Sequence, residues 1–339
     1  MATKIKRHKT KVIRVGSVKI GGDHPIAIQS MTNTLTTDVK ATLAQIKDCA
    51  AAGCDIIRVA VPEQKSVETF AAIKKLSPLP IVADIHFDHR LAIGAIEAGA
   101  DKIRINPGNI QGSAKLKEII AAAKKRNIPI RIGVNAGSTK KNLTALAIEY
   151  CQFFEQQKFT NIVLSLKSSA VLDTLAAYEK IIQKRRYPLH IGITEAGTEY
   201  YGTIKSAVGL GVLLSRGIGD TVRVSLTADP VKEVTAARAI LKSLGLIQCP
   251  EVISCPTCGR TQIDIISLAA QVEKKLQTSK KNITVAVMGC VVNGPGEAAH
   301  ADYGIAGGKG QGVIFAKGQR LKTVPEKDLL NELFKLIKP

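Results

Sequence analysis

The chain has 339 residues, and its 45% hydrophobic and 22% charged residues are typical of a folded globular protein rather than a disordered or fibrous one. Its 48 Lys and Arg residues outnumber its 28 Asp and Glu residues, which gives a formal net charge of +20. No uncharged run reaches the roughly 18 residues that a membrane helix requires, and the basic N-terminus is not followed by the apolar segment of a secretory signal. We therefore expect a cytoplasmic protein with no membrane partner.

The excess of positive charge fits several kinds of partner. Nucleic acid, an acidic protein and an anionic small substrate are three functional interpretations, and a generally basic, solubilising surface is a fourth. Aromatic residues are scarce, with seven Phe, six Tyr and no Trp. Proteins that bind single strands usually stack bases on aromatic rings, so this scarcity counts mildly against nucleic acid.

Short apolar, β-branched runs recur along the first two-thirds of the chain, after an alternating segment with a turn at residues 12–20. The runs recur about every 28 residues, as strands separated by helices do. They occupy residues 25–30, 56–61, 81–86, 102–106, 130–135, 161–167, 189–195 and 221–225. Between them, apolar residues at helical spacing predict helices such as 38–52, 113–125, 171–184 and 230–244. Asp38, Ser113 and Asp229 are predicted to cap three of these helices.

Eight strand–helix units at this period predict an α/β fold, namely a (β/α)₈ TIM barrel. An open, doubly wound sheet is the alternative, but the sequence contains neither its G-x-G-x-x-G fingerprint after the first strand nor a Walker A motif. The alternating segment 12–20 is predicted to be a hairpin that plugs the bottom of the barrel. The repeat stops after the eighth helix, so a small second α/β domain is expected there.

The predicted strand ends carry basic side chains at the place where barrel enzymes have their active sites. A basic residue inside an apolar strand is costly to bury unless it meets an anion. Ion pairs with neighbouring carboxylates are the alternative, but only Asp84 and Glu195 are at hand for five cations. A substrate with several negative charges, such as a phosphate or diphosphate, is therefore expected. The five cations are Arg58, Arg104, Arg131, Lys167 and Arg223, and the polar residues beside them are Asp84, His86, Asn106, Asn135, Glu195 and Ser225.

Seven cysteines, an odd number, indicate a reducing compartment. Cys49, Cys54 and Cys151 lie among apolar residues on predicted helices or at helix ends and are expected to be small buried hydrophobes. The other four are near the C-terminus.

Cys255 and Cys258 form a C-x₂-C unit that could chelate one metal centre, and Cys290 follows 32 residues later. Three cysteines without a second C-x₂-C pair fit a closed zinc site poorly and an iron–sulfur cluster better, although zinc is an alternative. From the spacing alone, the fourth ligand is Glu297, Cys249 or His300.

These motifs resemble those of the 4-hydroxy-3-methylbut-2-enyl diphosphate synthases of the non-mevalonate isoprenoid pathway. The similarity runs in family order over nearly the whole chain. The matching segments are residues 29–34 (QSMTNT), 82–87 (VADIHF), 104–109 (RINPGN), 131–138 (RIGVNAGS), 192–197 (GITEAG), 223–226 (RVSL), 255–258 (CPTC) and 289–297 (GCVVNGPGE).

The resemblance implies a bacterial two-domain form, with a substrate-binding barrel at 1–247 and a [4Fe–4S] cluster domain at 248–339. It assigns the cluster ligands to Cys255, Cys258, Cys290 and Glu297. The implied substrate is 2-C-methyl-D-erythritol 2,4-cyclodiphosphate, which is reductively opened and dehydrated with two electrons. The residues implied to bind it are Arg58, Arg104, Arg131, Asn135, Lys167, Arg223 and Ser225, to which the strand-end pattern adds Asn106.

For catalysis we expect Glu195 to donate or accept a proton. Glu297 is expected to be the iron ligand that substrate oxygen displaces. Asp84 and His86 are weaker choices for acid–base roles. The resemblance also implies a homodimer and flavodoxin or ferredoxin as the acidic electron carrier, which leaves nucleic acid the least supported partner.

Overall fold

A computed structural model describes residues 5–110, 112–138, 142–276, 279, 281–290 and 298–337. The chain divides into two compact units, Met1–Ile247 and Gln248–Pro339. No helix in the described ranges is both long and apolar enough to cross a membrane.

The first unit contains the predicted barrel of eight parallel strands. The strands are β3 (Ala27–Met31), β4 (Ile56–Ala60), β5 (Ile81–Ile85), β6 (Lys102–Ile105), β7 (Ile130–Asn135), β8 (Ile162–Lys167), β9 (His190–Ile191) and β10 (Thr221–Val222). Neighbouring strands pair in the order β8-β7-β6-β5-β4-β3-β10-β9, and a parallel bridge between Leu164 and Leu189 joins the two ends of this row. The prediction of a TIM barrel is confirmed.

Eight helices follow the strands, and their apolar stripes pack on the outward-facing strand residues to form the main core. They are α1 (Val39–Ala51), α2 (Gln64–Leu76), α3 (His89–Glu97), α4 (Ser113–Arg126), α5 (Leu143–Gln156), α6 (Val171–Ile181), α7 (Glu199–Ser215) and α8 (Pro230–Ser243). Asp38 and Asp229 cap α1 and α8 as predicted. The prediction for Ser113 is wrong, because this residue lies inside α4 and Gly112 holds the cap position.

A hairpin closes the bottom of the barrel, as the sequence predicts. Its strands are β1 (Ile13–Val15) and β2 (Val18–Ile20), which pair antiparallel. Their buried side chains pack against the first inward-facing residues of four barrel strands, which are Ala27, Ile56, Val82 and Val163. The lowest layer of the barrel interior is therefore apolar.

Three barrel strands are tied to a neighbour at the same bottom end by an aspartate. In each case the residue just before a strand accepts a hydrogen bond from the backbone N–H of the adjacent strand, at 2.7–2.8 Å. The pairs are Asp55 with Ile28, Asp101 with Ile81 and Asp220 with Leu189. Because edge N–H groups are costly to leave unpaired when buried, these carboxylates fix how the strands align.

The second unit is a five-stranded sheet with helices on one face. Its strands are β11 (Glu251–Ser254), β12 (Thr284–Met288), β13 (Tyr303–Gly308), β14 (Gln311–Ala316) and β15 (Gln319–Pro325). They pair in the order β11-β12-β13-β14-β15, parallel for the first three and antiparallel beyond. Helices α9 (Ile265–Leu276) and α10 (Leu329–Leu336) cover the face that carries Val285 and Val287.

Replacing Asp220 by alanine tests the aspartate ties. Asp220 also accepts hydrogen bonds from Arg7 and Thr10, so Asp220→Ala leaves three donors without this acceptor, one of them the partly buried guanidinium of Arg7. We expect a loss of about 3 kcal/mol in the free energy of unfolding, measured by urea denaturation. Asp23→Ala, at an exposed turn position, is the control and should cost less than about 0.5 kcal/mol. Equal losses would contradict a special role for Asp220.

Candidate functional site

Asp84 is the buried carboxylate around which two of the predicted cations are arranged. It lies on β5 between the strands of Arg58 and Arg104 and is 2% exposed. Its Oδ1 accepts a hydrogen bond from Arg104 Nη1 at 3.1 Å, and its Oδ2 lies 3.6 Å from Arg58 Nε. Burial by itself would raise the pKa of Asp84, but the charge of Arg58, a hydrogen bond from His86 and the charge of Arg104 together lower it well below its usual range. Asp84 is therefore a fixed negative charge.

Arg58 keeps part of its hydrogen-bonding capacity for a ligand. Its Nε and Nη2 lie 3.0 and 2.8 Å from the thioether sulfur of Met31, which is a weak acceptor. Burial lowers the pKa of Arg58 to about 10, although Asp84 opposes the shift. The guanidinium remains charged at neutral pH.

Arg223 is paired with a carboxylate that the sequence analysis missed. Glu233, in the first turn of α8 and 3% exposed, accepts hydrogen bonds from Arg223 Nε at 3.2 Å and Nη2 at 3.1 Å. The hydroxyl of Ser30 and the backbone N–H of Leu226 also donate to it. The expectation that only Asp84 and Glu195 were available to pair the cations is therefore wrong. The sequence did contain one sign of this pairing. Glu233 occupies a position on the face of α8 whose other buried residues are apolar.

Arg131 and Lys167 have no carboxylate partner among the described residues. Arg131 is 2% exposed, and its Nε and Nη1 make no hydrogen bond there. Lys167 Nζ lies 3.3 Å from Nε2 of the buried His190, whose Nδ1 lies 2.7 Å from the hydroxyl of Thr221. Burial and the nearby charge of Arg131 lower the pKa of His190 well below its usual value. Its neutral ring thus accepts from Lys167 through Nε2 and donates to Thr221 through Nδ1.

Two glycines make room for these cations. A Cβ atom at Gly192 would lie 2.6 Å from Lys167 Nζ and 2.4 Å from the carbonyl oxygen of Arg223. One at Gly133 would lie 3.0 Å from Arg104 Nε. Because glycine has no side chain at these two positions, the basic groups can occupy the barrel interior.

The remaining polar residues lie at the carboxyl ends of the barrel strands or just after them. Asn106 follows β6, and its Oδ1 accepts from the backbone N–H of Gly108 at the start of the short 3₁₀ helix Pro107–Asn109. Asn135 is the last residue of β7, and the half-buried Ser225 follows β10. The structure thus places the predicted strand-end residues on one side of the barrel.

Glu195 lies at this side in an unusual backbone conformation. Its φ is +51°, in the left-handed region that a non-glycine residue rarely adopts. The residue is exposed and makes no ion pair within the described part of the chain. The structure therefore does not support the alternative that Glu195 is an ion-pair partner of an arginine.

In the second unit, the cysteines follow the carboxyl ends of two adjacent parallel strands. Cys255 comes directly after β11, and Cys290 comes two residues after β12. The backbone N–H of Gly289 donates to Cys255 Sγ at 3.2 Å, which joins the two loops. Cys249 precedes β11 and is therefore separated from Cys255 by the length of that strand.

The donor set is consistent with a thiolate-bound metal centre, although the described residues alone do not complete one. Cys258 is exposed, and a backbone hydrogen bond from Arg260 lowers the pKa of its thiol. No group of three or more His, Cys, Asp or Glu side chains is gathered for metal binding in the described ranges. Glu297, the predicted fourth ligand, lies outside them.

The other cysteines differ from these. Cys49, Cys54 and Cys151 are buried in the barrel unit, as predicted, and burial raises the pKa of Cys49 to about 11 and those of Cys54 and Cys151 to about 12. Their thiols are therefore neutral and packed as small apolar groups.

The fold and the site define a (β/α)₈-barrel protein with an unbalanced cationic mouth. Solved structures with the same barrel include 3-dehydroquinate dehydratase from Geobacillus kaustophilus, with a TM-score of 0.54 and 13% identity over 71% of this chain and 98% of that one. Dihydropteroate synthase from Xanthomonas albilineans gives a TM-score of 0.52 and 13% identity over 69% and 98%. At this identity the similarity concerns the fold alone.

Sequence comparison identifies the family. Residues 10–238 match the GcpE TIM-barrel domain and residues 251–339 match the GcpE protein C-terminal domain. A Caldanaerobacter subterraneus protein is 56% identical over 98% of this chain and 97% of its own length, and a Clostridium perfringens protein is 52% identical over 98% and 99%. Both are named 4-hydroxy-3-methylbut-2-en-1-yl diphosphate synthase (flavodoxin). The chain belongs to the GcpE family.

Asp84→Asn tests the balance of charge at the mouth. Without this carboxylate, Arg58 and Arg104 lose their buried countercharge, and we expect the free energy of unfolding to fall by about 3–5 kcal/mol. Inorganic diphosphate should restore much of the loss, which thermal unfolding with and without this anion would measure. Because the folded pKa of Asp84 is lowered, its contribution is complete above the unfolded pKa of about 4 and is lost as pH falls further. The free energy of unfolding of the variant should therefore fall less steeply than that of the wild type as the pH is lowered below about 4.

Asp88→Asn is the matched control for this prediction. Asp88 caps α3 in the loop that follows β5, and asparagine caps a helix as well as aspartate does. A variant at Asp84 that is as stable as the control would mean that the arginines have another countercharge.

Proposed function

We propose that this protein forms 4-hydroxy-3-methylbut-2-enyl diphosphate from 2-C-methyl-D-erythritol 2,4-cyclodiphosphate, as the names of its relatives indicate for their product. The reaction opens the cyclic diphosphate, takes up two electrons and two protons, and releases one water. The observation that carries the proposal to this chain is the cationic mouth, in which Arg131 and Lys167 are buried without a carboxylate partner among the described residues.

The barrel residues would bind and orient the substrate. Planar guanidinium groups match two phosphoryl oxygens at once, and Lys167 supplies a point charge beside them. Asn106, Asn135 and Ser225 would contribute neutral hydrogen bonds at the same edge. Donors fixed in advance by Asp84, Glu233 and His190 need not reorganise as negative charge shifts during ring opening.

Glu195 would hold or deliver a proton for the departing oxygen. Its carboxylate is exposed at the mouth and its backbone is in a strained conformation, a feature that clusters at functional sites.

The electrons require a redox centre, and the cysteine loops of the second unit fit one. We assign its ligands to Cys255, Cys258, Cys290 and Glu297, the last outside the described residues. A [4Fe–4S] cluster, when bound there, supplies electrons one at a time. The N–H···S contact from Gly289 to Cys255 is of the kind that adjusts cluster potentials.

The electron donor would be an acidic carrier protein. The relatives are named for flavodoxin, and a chain with a net charge of +20 attracts an acidic partner that docks and leaves quickly. We also propose that the active form is a homodimer.

Iron and sulfide analysis after anaerobic purification tests the redox centre. The wild-type protein should be brown and contain roughly four iron and four sulfide per chain, and Cys258→Ser should lose both. Cys249→Ser is the matched control, because this thiol lies at the other end of β11, and it should keep the cluster. A colourless wild-type protein that holds zinc after anaerobic reconstitution would overturn the proposal.

Glu195→Gln tests the proton donor. The amide keeps the shape of the side chain but cannot transfer a proton, so turnover should fall by about 10²–10⁴-fold, while iron content and diphosphate binding stay unchanged. Glu199→Gln, an exposed position in the first turn of α7, should retain full activity. Full activity of Glu195→Gln would remove this residue from the mechanism.

A further inference from the structure

Lys102 is a buried lysine that the reaction outlined above does not use. It lies on the same face of β6 as Arg104, two residues nearer the bottom of the barrel. Its partner across the ladder is Val82, which belongs to the apolar layer above the hairpin. Lys102 is 0% exposed. Its side chain therefore starts from the apolar floor and lies beneath the cationic mouth.

The side-chain amine of Lys102 has no polar partner in the part of the chain that the structure describes. Its Nζ makes no hydrogen bond within the described residues, and the charges that act on it most are those of Arg131 and Arg58. The carboxylate of the adjoining strand, Asp84, is already held by Arg58 and Arg104. The charged or titratable groups facing this interior from the surrounding strands are Arg58, Asp84, Arg104, Arg131, Lys167, His190 and Arg223.

An ammonium group at this place would be unstable in the empty barrel. Burial, followed by repulsion from Arg131 and Arg58, lowers the pKa of Lys102 well below its usual value. Complete burial, the lack of a hydrogen-bond partner among the described residues and the neighbouring guanidinium groups thus all disfavour the ammonium form of Lys102 while no anion is bound. An anion that carries two phosphoryl groups would reverse the sign of the local field and make the ammonium form favourable.

We propose that Lys102 is a proton-coupled positioning residue for the substrate, neutral when the mouth is empty and protonated when a diphosphate anion binds above it. The amine takes the proton from solvent and becomes an ammonium group, with no other bond made or broken. The added charge strengthens the binding of the anion by Arg131 and the other cations of the mouth. This inference rests on the proposed function, because it assumes that the mouth binds a diphosphate.

Calorimetric titration of the anaerobically purified full chain with inorganic diphosphate tests the proposal. Repeating the titration in two buffers of different ionisation enthalpy gives the number of protons taken up on binding. The wild-type protein should take up close to one proton more than Lys102→Met, with the ligand's own titration cancelling in the difference. The variant should bind diphosphate roughly tenfold more weakly, and its affinity should depend less on pH.

Stability measurements separate this role from a merely structural one. Methionine fills a similar volume without a buried polar atom, so Lys102→Met should unfold at the same or a higher temperature than the wild type when no anion is present. Lys65→Met, an exposed position on α2, is the control and should match the wild type in proton count and affinity. If Lys102→Met does not fold, Lys102→Gln and the proton count of the wild type provide the same test.

The outcomes are distinct. Equal proton counts for the wild type and the Lys102 variants would overturn the proposal, as would a proton uptake that disappears in Lys167→Met but persists in Lys102→Met. An absence of diphosphate binding by the wild type would instead count against the anion-binding mouth and thus against the proposed function.

Discussion

The arrangement of the barrel depends on how five cations share two carboxylates. Asp84 is divided between Arg58 and Arg104, and Glu233 holds Arg223, whereas Arg131 and Lys167 form no ion pair with a carboxylate of the described residues. Uncompensated buried charge destabilises a protein. The buried cations therefore lower the free energy of unfolding of the barrel, and binding of a multiply charged anion would raise it again.

The same strands that carry arginines at the mouth carry aspartates at the bottom. Asp55, Asp101 and Asp220 each stand three residues before an arginine, at Arg58, Arg104 and Arg223. Each aspartate accepts a hydrogen bond from the neighbouring strand. A recurring D-x-x-R pattern thus combines a tie that sets strand alignment with a ligand-binding group about 10 Å further along the chain.

Much of this organisation was accessible from the sequence. The strands follow from apolar runs, and the mouth follows from basic residues inside them, because alternation fixes which side chains point inward. The ion pair of Arg223 could not be predicted from the sequence, because its partner Glu233 lies on a helix and only the packed fold brings the two side chains together. Lys102 had a visible signal in the alternation Lys102-Ile-Arg104-Ile, but its missing partner emerges only when the surrounding strands are in place. The ligand role of Glu297 stays a prediction.

The hairpin at the bottom has a kinetic consequence. Because β1 and β2 pack on the lowest layer of side chains, the barrel interior is closed at its bottom. Ligands therefore reach it from the carboxyl ends of the strands. Substrate, product and exchanging water all use the same route, so product must depart before another substrate molecule can enter. Bound product would therefore inhibit competitively, and its residence time sets an upper limit on the turnover rate.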